Sequence, residues 1–226
     1  MAEIIIALDL PTGRDALSLL DRIPEARWVK VGSVLMTREG PGLVRELVGR
    51  GLQVFLDLKW HDIPNTVVGA VEAARDQGVA MATVHTLGGE SMMRGAAVAA
   101  GDALGLVGVT VLTSHSPAEY SAAVGRGGVY LEDEAERLAG QAIEAGLRGV
   151  VCSAREAARV RGRVGPNAWI VVPGIRRPGD AAGDQVRTAA PDQAVRAGAS
   201  HLVVGRPILL ATDPAGAHRE IAEAAG

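Results

Sequence analysis

Gln53-Val54-Phe55-Leu56-Asp57-Leu58-Lys59-Trp60-His61-Asp62-Ile63-Pro64-Asn65-Thr66 begins as a nearly continuous apolar run and then turns abruptly ionic. An apolar stretch over Gln53–Leu58 suits a strand buried on both faces of a parallel sheet. Seven runs of the same kind flank it, at Ile4–Leu8, Trp28–Val31, Met81–His85, Leu106–Leu112, Gly149–Cys152, Trp169–Val172 and Leu202–Val204. Between them apolar residues recur at helical spacing. Val67, Val71 and Ala74 do so behind a cap at Asn65 or Thr66, and Leu131, Ala135, Leu138 and Ala142 do so over three turns. Eight strands alternating with helices predict an α/β fold of the (β/α)8 (TIM) barrel type rather than an open doubly wound sheet. The absence of G-x-G-x-x-G after the first strand removes support for the dinucleotide-binding alternative. The 226 residues fit one barrel domain, 1–226, with no interdomain linker. Gly174–Pro191 fits no element, and long loops in compact domains are often functional.

Composition narrows the function. With 22% charged and 48% hydrophobic residues and a net charge of −3, the chain is neither disordered nor a basic nucleic-acid binder. The single cysteine, Cys152, excludes an internal disulfide, and its apolar run reads as an inert core thiol. The start, MAEIIIALDLP, lacks the basic region of a signal peptide. No apolar run approaches the roughly 18 residues of a membrane span. A cytoplasmic protein with neither membrane nor nucleic-acid partners is the expectation.

Active sites of such barrels occupy the C-terminal strand ends. The runs stop there at Asp9, Lys30, Asp57 with Lys59, His85, Thr113, Ser153, Arg176 and Gly205–Arg206. Of 23 basic residues only Lys30 and Lys59 are lysines. Lysine, unlike arginine, carries a compact ammonium able to release its proton. Strand alternation points Asp57 and Lys59 the same way, inward, with Leu58 toward the helices. Charges at the mouth are costly to desolvate unless paired, so Lys30, Asp57, Lys59 and Asp62 are expected to form an array of alternating sign. A buried salt bridge that merely locks the barrel accounts for Asp57 and Lys59 as well. Neighbouring acids keep an ammonium charged, which suits a proton donor better than an amine nucleophile. After the last strand, Arg206 opposes the dipole of the helix that Pro207 begins, a conflict that a bound anion resolves. Gly205 lets backbone N–H groups approach such an anion, and Arg176 offers a second, bidentate arm. His61 and His85 read first as structural, and His115, His201 and His218 stand at no metal-ligand or triad spacing, so no metal is expected.

Together these residues resemble the orotidine 5′-phosphate decarboxylase family. The resemblance runs through Ala7-Leu8-Asp9, Val29-Lys30-Val31-Gly32, Asp57-Leu58-Lys59, His61-Asp62-Ile63-Pro64-Asn65-Thr66, Pro173-Gly174-Ile175-Arg176, Gly183-Asp184-Gln185 and Gly205-Arg206-Pro207. It implies decarboxylation of orotidine 5′-phosphate (OMP) to UMP and CO2, the last step of pyrimidine synthesis, without a cofactor. Lys59 would give a proton to C6 of the pyrimidine, with Lys30, Asp57 and Asp62 completing the charged array. Asp9 and Lys30 would hold ribose hydroxyls, Thr113 and Ser114 the pyrimidine, and Arg176 with Gly205 and Arg206 the phosphate. Ile63 and Pro173 would also contact substrate, and Gln185 would lie on a closing loop. Asp62 and Thr66 would reach the neighbouring subunit's site, making a homodimer. Trp60 is bulkier than the residue usual in the family. The rivals are a magnesium-dependent sugar-phosphate decarboxylase or aldolase of the same superfamily, a Schiff-base aldolase using Lys59, and a silent phosphometabolite-binding barrel.

Overall fold

The computed structural model describes residues 2–177 and 187–226, and the apolar runs are its strands. They are β1 (Glu3–Ala7), β2 (Trp28–Gly32), β3 (Gln53–Trp60), β4 (Met81–His85), β5 (Gly105–Val109), β6 (Gly149–Val151), β7 (Trp169–Val172) and β8 (His201–Val204). Each pairs in parallel with the next, and β1 pairs with β8, closing the barrel. Parallel neighbours need crossover connections, which the intervening helices supply. The expected (β/α)8 barrel is therefore the observed fold. Among the described residues no helix is long and apolar enough to cross a membrane.

Period-two alternation splits the core in two. Ile4, Ile6, Val29, Val31, Val54 and Leu56 pack toward the helices, whereas Ile5, Ala7, Phe55, Met81, Val171 and Val203 fill the barrel interior. Following the inward positions upward explains the site: Ile5 and Ala7 lead to Asp9, Trp28 to Lys30, Phe55 to Asp57, Met81 to Thr83, and Val203 to Gly205. The barrel is apolar in its middle and polar at its C-terminal mouth.

The opposite end is plugged by aromatic rings. Trp28 meets Trp169 edge-on at 6.4 Å, and both rings contact His201. Gly105 makes room for this plug, since a Cβ there would collide with the Trp169 ring, and a Cβ on Gly149 would collide with the Trp169 backbone. Burial drives the His201 imidazole from its ordinary 6.5 down to about 4. Its stabilising contribution is therefore complete above pH 6.5. Between there and about pH 4 the unfolded chain binds a proton that the native chain refuses, and stability falls by about 1.4 kcal/mol per pH unit. Urea midpoints measured from pH 7 to 5 should show at least this slope, because buried His85 is also lowered to about 4, and His201→Gln should reduce it by about 1.4 kcal/mol per pH unit. An unchanged slope in the variant would remove His201 as the cause.

Three local expectations are corrected. The helix over Pro64–Asp76 starts at Pro64, with Ile63 as an N-cap that makes no side-chain bond, so Asn65 and Thr66 lie inside it rather than capping it. Proline's fixed φ and missing N–H suit that first position. The β5 strand ends at Val109, not Leu112. Thr110, just past the strand, donates its N–H at 3.2 Å and its hydroxyl at 2.9 Å to the Val151 carbonyl, and Val111–Ser114 becomes mouth loop. A helix over Pro117–Val124, closed by a Ser116–Glu119 capping box, then occupies a stretch given no element above. Buried Glu134 holds it by accepting from the Tyr120 hydroxyl, Arg126 and Arg137.

Candidate active site

At the mouth, adjacent strands place the lysines and acids in contact. Register sets Ala7 beside Lys30, and Gly32 beside Asp57. Lys30 Nζ lies 3.1 Å from Asp9 Oδ1 and 3.7 Å from Asp57 Oδ2, and Lys59 Nζ lies 2.9 Å from Asp57 Oδ1. Asp57 thus bridges both lysines through its two oxygens. Its side chain is 13% exposed and that of Lys30 11%, whereas Lys59 is 40% exposed. Two buried charges are tolerated here because each faces an opposite one, and the outermost ammonium is left open to the cavity. A side chain at residue 32 would crowd Lys30, whose Nζ would stand 3.2 Å from the added Cβ.

Lys59 does not continue the strand in the simple way alternation predicts. Its φ is +52, the left-handed region, and four steps along β3 from Leu56 to Trp60 match only two along β4. Such a conformation is costly for a residue with a Cβ and persists only where its surroundings enforce it. The enforcing group is Thr83, fully buried, whose hydroxyl accepts the Lys59 N–H at 2.8 Å and donates to Asp57 Oδ1 at 3.1 Å. Thr83 was missed in the sequence, although a hydroxyl at an inward position of the apolar run Met81-Ala82-Thr83-Val84 was the available signal.

Asp9, Lys30, Asp57 and Lys59 form one wall of a cavity of about 620 Å³. Thr113 and Ser114 line a second wall, and Pro173, Arg176, Gly205 and Arg206 a third. The candidate phosphate arms therefore share one space with Lys59. Asp62, Ile63 and Thr66 do not join it within one chain, where all three are exposed. Asp62 instead accepts the Ile63 N–H at 2.6 Å, in the turn before the helix. The four-member array is thus three members plus Asp9 within one chain. Gln185 lies outside the described residues.

Other strand-end candidates are structural. Ser153 is fully buried and caps the helix Ala154–Val164 with Glu156. His85 stacks on His61 at 5.4 Å and accepts the Leu87 N–H. Burial first, then the nearby His61 and Lys59, lower it to about 4, so it is neutral at physiological pH. Burial raises the Cys152 thiol far above its ordinary value, leaving it inert. Among the described residues no group of three or more His, Cys, Asp or Glu side chains could hold a metal.

A family model matches residues 2–221, nearly the whole barrel. The chain belongs to the Orotidine 5′-phosphate decarboxylase / HUMPS family. Orotidine 5′-phosphate decarboxylase of Halorhodospira halophila is 50% identical over 224 residues, covering 97% of this chain and 94% of that relative. The one from Alkalilimnicola ehrlichii is 51% identical over 217 residues, covering 94% and 92%. The crystal structure of orotidine 5′-phosphate decarboxylase from Lactobacillus acidophilus superposes with a TM-score of 0.88 at 33% identity, covering 100% of both chains. Family membership makes the chain an enzyme, a carbon–carbon lyase of the decarboxylase type, in pyrimidine biosynthesis.

Proposed function

We propose that the cavity binds OMP and that the chain converts it to UMP and CO2, with Lys59 as the acid that protonates C6. The observation that carries this reading is the contact chain Asp9–Lys30–Asp57–Lys59 on one wall of the same cavity that Arg176 and Arg206 line. Loss of CO2 from C6 leaves an electron pair in the ring plane, out of reach of the π-system. An ammonium held about 4 Å away contributes roughly 4 kcal/mol at an effective dielectric near 20. Because Asp57 already orients Lys59 at 2.9 Å, little reorganisation accompanies charge development. The C6 pair then takes a proton from Nζ, giving UMP and leaving a neutral amine that solvent reprotonates.

Asp9 and Lys30 suit the ribose hydroxyls, Thr113 and Ser114 the pyrimidine, and Pro173, Arg176, Gly205 and Arg206 the phosphate end. Gln185 is assigned to substrate binding from the closing loop that the family resemblance implies. Exposure of Asp62, Ile63 and Thr66 in one chain fits their entering a neighbouring subunit's cavity, in a cytoplasmic homodimer with shared sites. The cofactor-free reading is favoured over the magnesium-dependent sugar-phosphate reading by Asp57, whose two oxygens each face an ammonium. A divalent cation there would have to displace both lysines. The test follows the ultraviolet absorbance of OMP on adding enzyme in the presence of EDTA. Conversion to UMP is expected, and well-folded protein that leaves OMP unchanged rejects the proposal.

A further inference from the structure

Arg187 is 5% exposed and its partner Glu156 1%, yet neither touches the charged array at the mouth. The Arg187 guanidinium pairs with the Glu156 carboxylate through Nη1, donates to the Leu112 carbonyl at 2.9 Å through Nη2, and approaches the Thr113 carbonyl at 3.4 Å through Nε. Leu112 and Thr113 line the cavity. Two residues beyond Arg187, Ala189 accepts the Arg176 N–H at 3.0 Å and donates to the Gly174 carbonyl at 3.4 Å, and these two residues line another wall. Glu156 sits in the first turn of the helix after β6, fixed by its capping box with Ser153. One guanidinium therefore joins the segments that follow β5, β6 and β7.

We infer that Arg187, neutralised by Glu156, is a positioning residue that sets the spacing between the Thr113 wall and the Gly174–Arg176 wall. The inference rests on the nucleotide reading above. A ligand that spans both walls, base on one and phosphate on the other, depends on that spacing, whereas a bare anion on the arginine wall does not. Arginine is required because its planar fork serves three acceptors at fixed angles, which a lysine ammonium cannot. Charge alone does not explain the pair, since two well-packed apolar residues often replace a buried ion pair without loss of stability.

That equivalence supplies the test. Arg187→Met with Glu156→Met removes both charges and both carbonyl contacts. The double variant, which also loses the Glu156–Ser153 capping box, should melt a few degrees below the wild type, yet kcat/KM for OMP should fall about 10- to 100-fold, with UMP binding weakened alongside. Inorganic phosphate, as a competitive inhibitor, should keep its wild-type inhibition constant. If the double variant does not fold, Arg187→Lys, which keeps the charge pair, decides by the same comparison of OMP with phosphate. Wild-type kcat/KM in the folded variant, or an equal loss toward phosphate and OMP, overturns the inference. Failure of the wild type itself to turn over OMP instead overturns the substrate reading.

Discussion

Lys59→Ala should lower OMP turnover by at least about 1000-fold, as expected when a positioned acid and a fixed charge are lost together. That factor corresponds to about 4 kcal/mol, the size of one close charge interaction at the mouth. UMP should still bind, because Arg176 and Arg206 are untouched and Lys30 keeps its contacts with Asp9 and Asp57. Steady-state turnover with calorimetric UMP titration reads both quantities. Lys59→Arg retains the charge but holds its proton too tightly to deliver it, so any turnover it recovers measures the electrostatic share alone. A Lys59→Ala enzyme within tenfold of wild type would take the residue out of the chemistry.

The second large effect is a gain. Asp62→Ala should be nearly inactive alone, and so should Lys59→Ala, but a mixture after subunit exchange should recover activity. If Asp62 serves a neighbour's cavity, each mixed dimer holds one site with both residues intact. Random exchange then restores about a quarter of all sites, by the symmetry of a two-fold dimer. Mixed and unmixed samples compared at equal protein, with exchange verified by a mass tag, give the readout. No recovery despite exchange would place Asp62 in its own chain's chemistry, contrary to its exposure there.

Much of this arrangement was legible in the chain because strand buriedness and alternation are local properties. The eight apolar runs became the eight strands within a few residues, and the inward positions leading to Asp9, Lys30 and Asp57 followed from a period of two. Lys59 was found for a partly mistaken reason. Alternation assumes a regular strand, but the backbone turns left-handed at that residue, and the lysine reaches Asp57 through a bulge enforced by Thr83. Side-chain type carries no record of such a φ. Asp62 was grouped with the array by sequence proximity, yet the turn into Pro64 carries it outward. Arg187 was not found because its partners lie far along the chain, Glu156 at 31 residues and Leu112 at 75. No local pattern announces a contact of that range.

The aromatic plug of Trp28, Trp169 and His201 has a bearing on traffic. With the floor sealed by rings and the middle filled by Phe55 and Met81, the barrel is a blind well. Substrate must arrive, and both UMP and the released gas must depart, by a single doorway. Among the described residues the rings leave solvent no rear passage, so under the proposed reaction a nucleotide seated in the opening would act as its own stopper and limit the water that reaches the carbanion.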